Sequence, residues 1–303
     1  MKTPQFRQSE LVERLSPPQG KIKMVLDTDT YNEVDDQFAL AYTLKSQEKL
    51  DLKAVYAAPF HNDRSSGPED GMEKSYQEIN KILSHLNIQK DDFVFRGSRQ
   101  YLPGPEKPVA SEAAEDLIDK ALNIKEGPLY VVAIGAATNV ASAILKKPSI
   151  IKNIVVVWLG GNALYWPHTY EFNLQQDLHS SRVLFDSGVP LVQIPCMGVA
   201  DHLLTTIPEL KEHLEGKSKI GSYLTDIVSS YTDDPFGWSK VIWDISAPAY
   251  LINSDWVATS LVHSPVLTDQ MTWSEDRERH FIRSAYQVDR DQIFTDVFTK
   301  LSK

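Results

Sequence analysis

The stretch IKMVLDTDTYNEVDDQFALAYTL, residues 22–44, decides the fold. It opens on an apolar run of strand length, Ile22 to Leu26, and from Asp35 to Leu44 its apolar residues recur at helical spacing. Between the two lies DTDTYNEVDD, which crowds Asp27, Asp29, Asp35 and Asp36 into ten residues. A strand, a polar loop and a helix in that order begin a βαβ unit. The alternation continues along the chain. Strands are predicted at Leu52 to Ala57, Leu129 to Ile134, Ile154 to Trp158 and Pro190 to Ile194, and helices at Gly71 to Leu86, Glu112 to Leu122, Asn139 to Leu145 and Leu178 to Asp186. KNIVVVWLGG reads as a central strand, because parallel strands buried on both faces are near-continuous β-branched runs. After Trp256, VATSLVHSPVL and RERHFIRSAYQV read as two shorter strands, followed by a closing helix from Asp289 to Leu301. The expectation is a single α/β domain over residues 1–303, with a mostly parallel central sheet flanked by helices and residues 1–20 as a polar N-terminal extension. Ligands of such sheets bind beyond the carboxyl ends of the strands.

Composition narrows the partners. The 303 residues are 42% hydrophobic and 24% charged, enough for a sizeable core, and carry a net charge of -10. That balance argues against a nucleic-acid polymer, whose binding depends on clustered Lys and Arg, and favours a small neutral or cationic ligand. With Cys196 as the only cysteine, neither an internal disulfide nor a cysteine-rich zinc site can form. The N-terminus lacks the apolar core of a secretory signal, and no run of about 18 apolar residues suggests a membrane span. A soluble, cytoplasmic protein is expected.

Carboxylates crowded at the ligand end of a sheet repel one another unless a cation compensates them, and all-oxygen donors suit calcium or magnesium, not zinc or copper. Asp29 at the strand tip and Asp36 in the first helical turn can converge on one ion, with Asp35 pointing to a neighbouring position. The plainer alternative is a set of solvated loop acids near a helix N-terminus. A DxDx(T/V) strand end also opens phosphatases of the haloacid-dehalogenase type, with Asp27 as phosphoryl acceptor. Against that, Tyr31 stands where Thr or Val is expected, and the Asp35–Asp36 pair has no part in that pattern.

The better match is to the calcium-dependent nucleoside hydrolases, whose DxDPGxDD signature this stretch resembles, without the Pro-Gly and with two extra residues. Three further segments resemble that family in order: LYVVAIGAATNVASAI, IVVVWLGGNALYWPHTYEFNLQQD and KVIWDISAPAYLI. The resemblance implies a Rossmann-like nucleoside hydrolase fold and Ca2+ held by Asp29, Asp36, Asp244 and the Ile134 carbonyl. Asp29 would accept a proton from the attacking water. Asp35, Asn173 and Asp244 would grip the ribose 2' and 3' hydroxyls, and Glu171 the 5' end. The family's asparagine after the second strand falls on His61 or Asn62. The substrate implied is a nucleoside, the products are free base and ribose, and the assembly is a homo-oligomer, dimer or tetramer.

Where some members carry a histidine acid before the final Asp, this chain has Trp243, and a similar Trp-Asp pair occurs in the purine-preferring branch. Trp243 would then stack on a purine together with Tyr101, Tyr165 or Trp166. Plain core packing is the alternative for a large aromatic. His168 is read either as a displaced acid or as an ordinary loop histidine. GSRQYLPGPEKP occupies the place of the family's histidine-rich lid, and YTDDPFGWSK is expected to close over a base. A ligand-binding homologue without turnover is the remaining reading.

Overall fold

β1 (Ile22–Thr28) is the strand around which the sheet is built. The computed structural model describes residues 6–303. Parallel strands β2 (Leu50–Ala57) and β3 (Val94–Arg96) extend from one side of β1, and β4 (Leu129–Ala133), β5 (Ile154–Leu159) and β6 (Leu191–Ile194) from the other. Two short strands, β7 (Leu204–Thr205) and β8 (Lys240–Val241), pair with each other. β9 (Val257–His263) ends the main sheet, β10 (Val266–Leu267) and β11 (Trp273–Ser274) make a small ribbon, and β12 (Phe281–Val288) joins β6 in parallel and β9 antiparallel. The eight-stranded order is β3-β2-β1-β4-β5-β6-β12-β9, so the chain reverses direction between β1 and β4. That reversal matters, because loops leaving two neighbouring strands toward opposite faces open a crevice at the strand ends.

Strand periodicity divides the core into two layers. Met24 and Leu26, Tyr130 and Val132, and Val155 and Val157 pack in one layer, while Val25, Val131, Val156 and Trp158 pack in the other. The first layer takes α1 (Gln8–Arg14), α2 (Val34–Leu44) and α3 (Pro68–His85). The second takes α4 (Glu112–Asn123), α5 (Thr138–Lys146) and α7 (Leu178–Asp186), which follows the short α6 (Phe172–Gln176). α8 (Ile207–His213), α9 (Lys219–Ser229), α10 (Ser246–Ile252) and α11 (Arg290–Leu301) return to the first layer. Among the described residues no helix is long and apolar enough to cross a membrane.

The expected strands and helices all form, with shifted ends. Residues 1–5 lie outside the described part, but the rest of the expected polar extension is not simply polar. Leu11 and Leu15, one helical turn apart in and just after α1, are buried in the first layer, and the Leu15 carbonyl accepts a hydrogen bond from Arg283 on β12. β1 also runs beyond Leu26, because Asp27 and Thr28 still pair with Tyr56 and Ala57 of β2.

A carboxylate inside a buried strand needs a donor, and Asn139 supplies it. Its Nδ2 donates to Asp27 Oδ1 at 2.8 Å, while its Oδ1 accepts from the Ser98 amide at 2.7 Å and the Ser98 hydroxyl at 2.9 Å. Burial still pushes Asp27 up to about 7. Asn139→Leu keeps the volume and removes all of these bonds. It is expected to lower stability by about 3 kcal/mol, since it leaves a buried carboxyl and a buried amide unpaired. The readout is the urea midpoint at unchanged slope, and a midpoint equal to wild type would show the network to be energetically idle.

Candidate active site

The acidic residues gather in the crevice where β1 and β4 part. Asp29 follows β1 directly and is fully buried, with neither carboxylate oxygen meeting a hydrogen-bond donor. The loop after β4 comes so close that a Cβ on Gly135 would lie 2.9 Å from Asp29 Oδ1, so only glycine fits there without moving the acid. Asp35 and Asp36 sit in the first turn of α2. Asp36 Oδ1 accepts from the Thr28 hydroxyl at 2.5 Å, whereas Asp35 Oδ1 has no donor. Asp244 arrives from far along the chain, in the 3-10 turn Trp243–Ile245 that packs against α2. It does not cap the helix that follows, which begins at Ser246.

Oxygen atoms of Asp35, Asp36 and Asp244 all lie within 4.8 Å of one another. Asp29 adjoins Asp36 but stands outside that tightest triad, and Asp35, expected beside the ion position, stands inside it. Burial, reinforced by mutual repulsion, pushes Asp29, Asp35 and Asp244 well above the ordinary carboxylate range. Asp36 rises to about 7, chiefly through burial, with Thr28 and the neighbouring carboxyls holding it back. Like charges at this spacing cost on the order of 3 kcal/mol per pair at an effective dielectric of 20. Orphaned oxygens on Asp29 and Asp35, an oxygen-only donor set and the nearby Ile134 carbonyl together fit a hard divalent cation.

The cluster forms one wall of a cleft of about 430 Å³. Asn173, Glu171, Asn62 and Trp243 also line it. Asn173 Nδ2 donates to the carbonyls of Ile134 and Leu159, both at 3.1 Å, which fixes the side chain between the loops after β4 and β5. Glu171 caps α6: Oε1 accepts from the Asn173 amide at 2.8 Å, and Oε2 from Gly161 at 2.7 Å and Leu174 at 3.0 Å. Burial raises its carboxyl despite these three donors. Of the two residues left open after β2, Asn62 faces the cleft, its Nδ2 2.6 Å from Asn32 Oδ1, while His61 is exposed and its backbone is tied to Gln176.

Several expectations are corrected. Tyr101, Tyr165 and Trp166 do not line the cleft; its aromatic residues besides Trp243 are Tyr170, Phe172 and Tyr231. Tyr101 is held by Gln176, and the Tyr165 hydroxyl donates to Gly198 O at 3.2 Å, so both are committed elsewhere. His168 also lies off the cleft, its ring against Tyr170. GSRQYLPGPEKP contributes no lining residue among those described, since Leu102 is anchored through its amide to Asp177. Asp27, the acceptor a phosphatase would need, is buried against Asn139 and does not reach the cleft.

The sequence reading missed Arg64, whereas the segment YTDDPFGWSK reaches the cleft through Tyr231, and its Lys240 forms a partly buried ion pair with Glu33 beside Asp35. For Lys240, burial lowers the ammonium's pKa, but Asp35 and Glu33 outweigh it and the net shift is upward. A cation placed two residues beyond Asn62 was the available signal for Arg64.

Residues 24–295 match the family described as inosine-uridine preferring nucleoside hydrolase. The pyrimidine-specific ribonucleoside hydrolase RihA of Escherichia coli O1:K1 is 28% identical over 195 residues, a stretch that is 56% of this chain and 59% of that protein. The probable uridine nucleosidase 2 of Arabidopsis thaliana is 25% identical over 236 residues, 70% of each chain. Among solved structures, the purine-preferring ribonucleoside hydrolase from Gardnerella vaginalis superposes with a TM-score of 0.75 at 23% identity, over 92% of this chain and 98% of that one. The inosine-uridine preferring nucleoside hydrolase from Bacillus anthracis gives a TM-score of 0.68 at 17% identity, over 93% and 99%. At such identities the solved structures share the fold.

Proposed function

The chain belongs to the inosine-uridine preferring nucleoside hydrolase family, and from that premise we propose that it hydrolyses the N-glycosidic bond of ribonucleosides to free base and ribose. The observation that carries the reading is the meeting of Asp36 and Asp35 with Asp244 beside the donor-free Asp29. Asp29, Asp36, Asp244 and the Ile134 carbonyl would hold a calcium ion, with Asp35 in reach. When bound, such an ion lowers the pKa of water and so supplies a nucleophile near neutral pH.

The chain's own groups do the rest. Asp29 takes the proton of the attacking water. Asp35, Asn173 and Asp244 grip the ribose 2' and 3' hydroxyls, and Glu171, held rigid by three amides, meets the 5' end. As the C1'–N bond breaks the sugar becomes cationic, and the acidic wall is complementary to that charge. Trp243 in the cleft supports stacking on a purine, although the name of the RihA relative points to pyrimidines. By family likeness the protein would work as a dimer or tetramer.

The test is a reducing-sugar assay over inosine, guanosine, adenosine, cytidine and uridine, with and without chelator. Ribose release that chelation stops and calcium restores is expected. Nucleoside uptake in calorimetry without sugar release would make the chain a binding protein, and a clear preference for uridine would refute the purine assignment.

A further inference from the structure

The cleft is furnished for the sugar, yet no histidine lines it among the described residues, and Arg64 is the one cationic side chain that does. A base expelled from C1' leaves as an anion unless something receives its charge. Arg64 is held only by uncharged groups. Its guanidinium stands 4.7 Å from the Tyr31 ring centre, and Nη1 donates to the Asn32 carbonyl at 3.4 Å and the Tyr231 hydroxyl at 3.3 Å. Among the described residues no carboxylate pairs with it, although Glu33 and Asp35 line the same cleft. Glu33 is taken by Lys240.

An unneutralised guanidinium whose Nε and Nη2 remain free is a fork for an anion or for a carbonyl that becomes one. Topology places it on the leaving-group side. Arg64 follows β2 and Glu171 and Asn173 follow β5, with the acidic loop after β1 and the Ile134 loop after β4 between them. A sugar held by the acids, Asn173 and Glu171 therefore directs its base toward Arg64 and Tyr231.

We propose that Arg64 is a catalytic residue that receives the departing base, its N–H groups binding the base's acceptor atoms as they gain negative charge. The inference rests on the nucleoside hydrolase reading. The electron pair of the C1'–N bond passes to the base, the water oxygen bonds to C1', and the water's proton goes to Asp29. Solvent then protonates the base held by Arg64, and Asp29 returns its proton to solvent, so nucleoside and water give ribose and neutral base.

The experiment compares inosine with p-nitrophenyl β-D-ribofuranoside, whose phenolate departs without assistance, in wild type, Arg64→Ala, Arg64→Gln and Arg64→Lys. Arg64→Ala is expected to lower kcat/KM for inosine by about 10²–10³-fold, the usual loss for one charge-stabilising donor, and for the activated riboside by less than about tenfold. Arg64→Lys should recover part of the inosine rate, since it keeps the charge without the fork. Equal losses on both substrates, or an undiminished inosine rate, would overturn the proposal and leave the hydrolase reading standing. A wild type that cleaves neither substrate ends both. Arg64 is exposed, so the variants should fold, and the Lys and Gln forms carry the comparison if the Ala form does not.

Discussion

Asp29→Ala is expected to lower kcat on the best nucleoside by at least about 10³-fold while the fold survives, because proton acceptance and a ligand for the ion vanish together. Asp29 is fully buried, and both of its oxygens lack donors. In metal-free protein burial and repulsion from Asp36 and Asp35 weigh against its charged form. Removing it should therefore leave the metal-free melting temperature no lower than that of wild type, even with the small void created. Asp29→Asn, nearly the same shape, separates the two contributions: it should be as inactive and melt higher. Near-normal turnover by either variant would remove Asp29 from the mechanism.

The second large effect is a coupling of protons to metal. Asp36 sits at about 7 against an ordinary value of 3.8, and Asp29, Asp35 and Asp244 are shifted the same way by burial. An acid whose pKa is raised by folding binds protons that the unfolded chain has released. Its stabilising contribution is full below about pH 4 and is lost as pH climbs through about 7. For Asp36 alone the ceiling is on the order of 4 kcal/mol. Metal-free protein should thus melt progressively lower from pH 5 to pH 8.

A divalent ion reverses the trend, because it binds the deprotonated carboxylates and must displace their protons. Calcium affinity should rise about tenfold or more per pH unit between pH 6 and 8, with proton release visible as a buffer-dependent heat in titration calorimetry. A pH-independent affinity, or identical melting curves with calcium and with chelator at pH 8, would contradict the cluster as a metal site.

Much of this was legible in the chain. The β-branched run at 154–158 could be little other than a buried strand, and the acids after Leu26 could hardly be tolerated together without a function. Asp244 was reachable only by resemblance, since nothing local in WDIS points toward Asp36. The rest depended on packing. Leu11 and Leu15 were hidden in a polar context, and a helical pair of leucines becomes evident only against a surface to cover. Tyr101, Tyr165 and Trp166 looked as available as Tyr231, because an aromatic residue shows no direction until its hydroxyl or ring finds a partner. Arg64 was passed over because one basic residue in an acidic chain carries no periodicity, and its meaning comes from what fails to neutralise it.

The reversal of strand order between β1 and β4 has a consequence for how the protein assembles. Asp29, Asp36, Ile134, Asn173 and Asp244 meet only once the sheet has closed and the turn at Trp243–Ile245 has seated on α2. A partly folded chain therefore has nowhere to keep an ion. Uptake of a divalent cation during refolding should lag the recovery of secondary structure and coincide with the final docking step, which would make the ion a reporter of a finished molecule.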